Sequence, residues 1–200
     1  MKSIAKIALL GDTSVGKTCL VTRFAHNEFN SYSFPTIGAA FSTLKIPVNE
    51  KTIELHVFDC AGSDRFNSLL PIYLRGVSYC ILLYSVDDIG SQKNILNRWA
   101  DYIKEHNITH LYVVGNKIDL PENEFHLEFL GKFHETFDSI NVKYFLTSAK
   151  TGSGIHNLFT QIAEDVYCKS ADFLPDNIIY DSDNVVLTKE KWRIISKCCY

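Results

Sequence analysis

The sequence has no excess of basic charge. Across its 200 residues, 20 Lys and Arg stand against 23 Asp and Glu, for a formal net charge of -3. A nucleic-acid binder needs a basic footprint, and this balance does not supply one. Long apolar runs are missing too. The longest, Tyr79 to Tyr84, is far short of the roughly 20 residues of a membrane-spanning helix. Six cysteines (Cys19, Cys60, Cys80, Cys168, Cys198 and Cys199) are too few for a disulfide scaffold, and no pair has C-x-x-C spacing. That usage fits the reducing cytosol. The opening Met1-Lys2-Ser3-Ile4 lacks the glycine that myristoylation needs, and the apolar stretch behind it runs into Gly11 without a cleavage-like site. Internal repeats and low-complexity tracts are absent. What remains is 46% apolar and 22% charged, an ordinary globular composition in a chain long enough to bury a core.

Strand-length apolar runs alternate with helical patterns along the chain. Ile4 to Leu10 is β-branched and apolar and ends at Gly11. Phe41 to Val48 and Thr52 to Asp59 read as two strands joined by the polar turn Asn49-Glu50-Lys51, the second with one wetter face. Tyr79 to Ser85, Leu111 to Gly115 and Lys143 to Thr147 are nearly continuous apolar runs, as strands buried on both faces require. Helices are expected over Lys17 to Ala25, over Ser91 to His106 with Ser91 as N-cap, over Glu124 to Phe137 and over Gly154 to Lys169. In the third of these, the phenylalanines at four-residue spacing read as core. The alternation predicts an α/β three-layer sandwich with a mostly parallel, six-stranded sheet and helices on both faces.

One loop carries the strongest chemical signal. Gly11-Asp12-Thr13-Ser14-Val15-Gly16-Lys17-Thr18 matches G-x-x-x-x-G-K-[ST] between a predicted strand and a predicted helix. Glycines let such a loop curl so that successive backbone N–H groups, here from Thr13 to Cys19, point at a phosphate together with the helix N-terminus. Lys17 adds a full positive charge, and the Thr18 hydroxyl can ligate Mg²⁺. A phosphate loop alone leaves kinases, ATPases and GTPases open. Asn116-Lys117-Ile118-Asp119 follows a predicted parallel strand, where a carboxylate faces the ligand crevice. Asp119 can accept from the ring N–H and the exocyclic amine of guanine. Adenine offers neither donor there and would leave the carboxylate unpaired. Ser148-Ala149-Lys150 follows the next strand, where a backbone N–H can meet guanine O6.

The phosphate loop, Pro35-Thr36-Ile37-Gly38, Asp59-Cys60-Ala61-Gly62, Asn116-Lys117-Ile118-Asp119 and Ser148-Ala149-Lys150, in that order, resemble the Ras superfamily of small GTPases. Thr36 to Phe41, Asp64-Arg65-Phe66, Tyr73 and Arg75-Gly76 resemble the Rab family within it, with an endosomal flavour. The resemblance covers residues 4 to about 168. It implies GTP and GDP as ligands, with Mg²⁺ held by Thr18, Thr36 and a water on Asp59. It implies that Lys17, Thr36, Gly62 and the residue at position 63 serve GTP hydrolysis, with the Gly62 N–H on the γ-phosphate. Phe29 resembles the aromatic that packs against the guanine edge. Ile37, Gly38, Phe41, Phe58 and Tyr73 fall where Rab proteins present their effector surface. The implied partners are an exchange factor, a GTPase-activating protein, a GDP-dissociation inhibitor or escort protein, and effectors of vesicle trafficking, with the protein itself a monomer.

The sequence also departs from that pattern. Rab proteins usually read Asp-Thr-Ala-Gly-Gln at switch II, so Cys60 replaces threonine and Ser63 replaces the water-orienting glutamine. Phe58 stands in place of the usual tryptophan. A slow GTPase switch is therefore expected, with a hydrolysis-deficient, permanently GTP-loaded scaffold as the alternative. Residues 170–200 read as a tail beyond the domain of residues 1–169. Four aspartates come before Asn184, and Lys189, Lys191, Arg193 and Lys197 come after it. The ending Lys197-Cys198-Cys199-Tyr200 is not C-a-a-X, and Cys198 and Cys199 resemble the Rab geranylgeranylation site that ties the protein to a membrane. Asn107-Ile108-Thr109 fits the glycosylation triplet, which a cytosolic chain does not use. His106 and His110 read as solvated loop residues.

Overall fold

A computed structural model describes residues 3–170 apart from 33, 107, 123–128, 130–131, 134–136 and 138–140. Six strands, β1 (Ser3–Gly11), β2 (Ala39–Val48), β3 (Lys51–Cys60), β4 (Tyr79–Ser85), β5 (His110–Asn116) and β6 (Asn141–Leu146), form one sheet in the order β2-β3-β1-β4-β5-β6. The β2–β3 hairpin is antiparallel and every other pairing is parallel. The expected α/β sandwich is the observed one.

The apolar runs explain themselves once the two faces of the sheet are separated. Ile7 and Leu9 of β1, Ile81 and Leu83 of β4 and Val114 of β5 join one core with Leu158, Phe159 and Ile162 of the last helix. Ala8, Leu10, Leu82 and Val113 join the other core with Ile95, Trp99 and Ile103. A strand feeding both cores cannot alternate polar and apolar residues. The β3 strand shows the contrast, burying Ile53, Leu55 and Val57 while His56 and Phe58 stay half-exposed.

Around the sheet lie α1 (Lys17–His26), a 3₁₀ helix (Asp64–Leu69), α2 (Leu70–Leu74), α3 (Ile89–Asn94), a π-helical turn (Ile95–Trp99), α4 (Ala100–Glu105) and α5 (Ile155–Ser170). The helix expected from Ser91 begins earlier. Asp88 is its N-cap, its side chain accepting from the Gly90 N–H, whereas Ser91 is buried and donates to the Asp88 carbonyl at 2.8 Å. The π-turn is invisible to periodicity, because Ile95, Trp99 and Ile103 keep four-residue spacing through it. His110 is no loop residue: it opens β5, half-buried, with its ring 4.6 Å from that of Tyr79. Most of Glu124 to Phe137 lies outside the described residues, but Phe129, Phe133 and Phe137 are core as expected. Of the tail read over residues 170–200, Ser170 ends α5, and residues 171–200, with Cys198 and Cys199, lie outside the described residues as well.

In such a sheet, ligands bind beyond the carboxyl ends of the strands where the strand order reverses. Here that point is β1, flanked by β3 on one side and β4 on the other. The loops leaving β1, β3, β5 and β6 therefore meet at one edge, and because β2 runs antiparallel the segment Pro35-Thr36-Ile37-Gly38 that enters it reaches the same edge.

Candidate functional site

The loop after β1 is curled by backbone conformations that few residues adopt. Gly11, Ser14 and Gly16 all have positive φ, and Gly16 at 98° caps α1 from the left-handed region. A Cβ at Gly16 would lie 2.3 Å from the Asn116 amide nitrogen, so glycine is required for closure as well as for conformation. Inside the curl the Lys17 ammonium donates to the carbonyls of Gly11 (2.8 Å) and Asp12 (2.6 Å). Burial pushes its pKa down to about 8 against the opposing pull of Asp59 and Asp12. A buried cation held by two neutral carbonyls and little else is suited to an anion.

A cavity of about 260 Å³ opens beside it, lined by Thr13, Ser14, Gly16, Lys17, Thr18 and Cys19 from the loop and α1. Phe34, Pro35, Thr36, Gly62, Ser63 and Arg65 close the other side. Gly62 reaches this position because it lacks a side chain, since a Cβ there would fall 2.3 Å from the Asp12 carbonyl carbon. Three oxygen donors converge at the cavity wall. Thr18 Oγ1 donates to Asp59 Oδ2 at 2.6 Å and lies 3.0 Å from Thr36 Oγ1. Asp59 is 3% exposed, and its Oδ1 has no hydrogen-bond partner, a costly state for a buried carboxylate. Burial raises its pKa, opposed by the Thr18 hydrogen bond and by Lys17. All-oxygen donors around an orphaned buried carboxylate fit a hard divalent cation such as Mg²⁺.

The second half of the crevice is built on Asn116. Its amide donates to the Val15 carbonyl at 2.8 Å, while its Oδ1 accepts from Thr147 Oγ1 (3.1 Å) and from the Ala149 N–H (3.2 Å). One buried side chain thus ties the phosphate-type loop to the loops after β5 and β6. Lys117 takes φ 66°, turning the chain toward Asp119. Asp119 accepts from Ser148 Oγ at 2.6 Å, and Lys150 lies 3.4 Å from its other oxygen. The Ser148 hydrogen bond is the main reason its carboxyl stays below the ordinary carboxylate range. Phe29, 38% exposed, sits near this end with the Arg23 guanidinium 5.9 Å from its ring. The structure therefore brings together Thr13 to Cys19, Thr36, Asp59, Gly62 and Ser63 at one end, and Asn116, Lys117, Asp119, Ser148, Ala149 and Lys150 at the other.

The Ras family model matches residues 6–168. The chain belongs to the Ras family. Its relatives place it among the Rab proteins. It is 36% identical to the Ras-related protein RABE1d of Arabidopsis thaliana, over 82% of this chain and 76% of that protein. It is 37% identical to human Ras-related protein Rab-21, over 80% and 70%. It is 33% identical to GTP-binding protein yptV2 of Volvox carteri, over 84% and 77%. A Rab-type chain is a GTPase in the general sense of its family.

Around this site lie Asn94, Arg98 and Trp99, which no motif includes. Asp12 is held by Trp99 Nε1 (2.8 Å) and the Asn94 amide (2.6 Å). Arg98 forms an ion pair with Asp64 at 2.7 Å and donates to Asn67 Oδ1 at 2.5 Å and to the Gly62 carbonyl at 3.4 Å. The π-turn thus grips both the phosphate loop and the segment carrying Ser63. No spacing rule links residues 31 to 87 positions apart, so nothing in the sequence signalled these contacts. Next to the site, Phe41 and Phe58 lie 5.2 Å apart and Phe58 and Tyr73 lie 6.5 Å apart, so the three expected aromatics touch in sequence. Phe41 and Ile37 are exposed, and a Cβ on Gly38 would lie 3.4 Å from the Tyr73 hydroxyl. Burial pushes the Cys60 thiol up to about 12, so it remains protonated and packs as a small apolar side chain.

Proposed function

We propose that this Rab-type protein is a molecular switch that binds GTP or GDP with Mg²⁺, hydrolyses GTP slowly and recruits trafficking effectors while GTP is bound. The observation that carries the reading is the pairing, on loops that Asn116 ties together, of a buried Lys17 poised for phosphate with an Asp119 whose carboxyl is held below the ordinary range, as a base acceptor requires. Backbone N–H groups from Thr13 to Cys19 receive the phosphates, and Lys17 transfers its hydrogen bonds from the loop carbonyls to the anion. Thr18, Thr36 and Asp59 hold Mg²⁺, which when bound neutralises charge on the transferring phosphoryl group. Thr36 and Gly62 sit on the two segments that the terminal phosphate orders, so losing that phosphate releases both.

Ser63 lines the cavity where a glutamine would orient the attacking water. Its hydroxyl sits on a short stem and does not cap the 3₁₀ helix that follows. It cannot reach both the water and the phosphate, so the chemistry is slowed while binding is spared. Phe41, Phe58, Tyr73, Ile37 and Gly38 form the surface that effectors read. Exchange, activating and escort proteins are the expected regulators, and Cys198 with Cys199 supports prenyl attachment to intracellular membranes.

Guanine selectivity tests the reading. Asp119→Asn should weaken GTP binding by about two orders of magnitude or more, because the base donors lose their charged acceptor. It should improve xanthosine triphosphate binding, since the amide can donate to the oxygen that replaces the guanine amine. Equal affinity of the wild type for ATP and GTP in a competition titration would overturn it.

A further inference from the structure

The base end of the crevice is braced by a side chain outside every nucleotide motif. Helix α1 ends at Asn27, whose backbone is left-handed (φ 55°) and whose N–H donates to the Arg23 carbonyl. That turn brings the Asn27 carbonyl and Oδ1 within 2.9 and 3.3 Å of Arg23 Nη1. The other arms of the same guanidinium reach across the fold. Nε donates to the Ala149 carbonyl at 2.8 Å and Nη2 to the Lys150 carbonyl at 2.7 Å. The guanidinium carbon also lies 5.9 Å from the centre of the Phe29 ring, within cation–π range.

One planar fork therefore joins the end of α1, the segment carrying Phe29 and two consecutive peptide units of the loop after β6. Three donors fixed in one plane set the orientation of both carbonyls, which a single mobile ammonium cannot do. The Ala149 N–H belongs to the same short segment and is held from its other side by Asn116.

We propose that Arg23 is a positioning residue for base recognition. It holds the Ala149–Lys150 backbone and Phe29 in register around the base and so controls how long the nucleotide stays bound. The assignment rests on the guanine-nucleotide reading above. It predicts an effect on dissociation and none on chemistry, because the phosphate end is anchored separately by Lys17, Thr18 and Asp59.

The test uses the full chain loaded with a fluorescent GDP analogue, its dissociation followed by stopped flow, beside single-turnover hydrolysis of bound GTP. Arg23→Ala should raise the dissociation rate about tenfold, the low end for charged hydrogen bonds at a part-exposed site, with hydrolysis within twofold of wild type. Arg23→Lys keeps the stem and the charge but not the fork, and should show a smaller rise of about threefold. The lysine variant also keeps the test open should the alanine variant fold poorly. An unchanged dissociation rate in Arg23→Lys, or a hydrolysis rate that falls in step with dissociation, overturns the assignment alone. ADP competing as well as GDP for the wild type would overturn the guanine reading and this assignment with it.

Discussion

At the scale of single residues, Ser63 stands where the family pattern has a glutamine. Ras-type intrinsic hydrolysis is already slow, on the order of 10⁻⁴ per second, and depends on a glutamine to orient the water. Replacing that amide by a hydroxyl on one carbon removes the reach, and Thr13 occupies the same cavity. Ser63→Gln should therefore speed single-turnover hydrolysis of bound GTP roughly tenfold without an activating protein, with GTP affinity little changed. A rate equal to wild type would show that Ser63 is not the limiting feature, and the permanently loaded alternative would lose its basis. This site was largely legible in the sequence because its key residues sit in short runs whose chemistry is local. Lys17 and Thr18 adjoin the glycine turn, and Asp119 lies three residues beyond Asn116. Arg23 and Asp12 show the opposite case. Their roles depend on partners up to 127 positions away that only the folded chain brings near.

At the scale of elements, the 3₁₀ helix Asp64–Leu69 has no buried residue of its own, so apolar burial does little to hold it. What holds it from the side is Arg98, through Asp64, Asn67 and the Gly62 carbonyl. Asp64 is 83% exposed, so that pair alone is worth under about 1 kcal/mol, and the better-shielded bond to Asn67 has to supply the rest. The π-turn that carries Arg98 also places Trp99 on Asp12, which couples this helix to the phosphate loop. Arg98→Ala should therefore speed amide hydrogen exchange across residues 64–69 while leaving β1 and β4 protected. Unaltered protection in that segment would show that Arg98 is no anchor. The turn escaped the sequence reading because the buried Ile95, Trp99 and Ile103 keep the four-residue spacing of an α-helix through it. The early helix start at Asp88 escaped it because Ser91 is an equally good cap by residue type.

At the scale of the whole molecule, the sheet was legible because a strand buried on both faces must be apolar throughout, as β4 and nearly all of β5 are, whereas β6 reads the same way in sequence but is an edge strand that leaves Leu146 exposed. The site, by contrast, is made almost wholly of loops at one edge of that sheet. Asn116 bridges three of them from a buried position, so filling the crevice should stiffen the edge and stabilise the entire fold. Binding to the native state alone adds about 4 kcal/mol at a ligand concentration a thousandfold above Kd. For a domain of this size each kcal/mol moves Tm by roughly 2–4 °C, so Mg²⁺ with GDP should raise Tm by roughly 8–16 °C. ADP at the same concentration should leave Tm within about 2 °C of the nucleotide-free value, because Asp119 would face a base with no matching donors. Chelating Mg²⁺ should remove part of the GDP shift, since Thr18 and Asp59 would then face the phosphates without the cation that neutralises them. A thermal shift of equal size with ADP and GDP would mean that the phosphate loop alone binds, leaving Asp119 and the loop around Ala149 without a part in recognition.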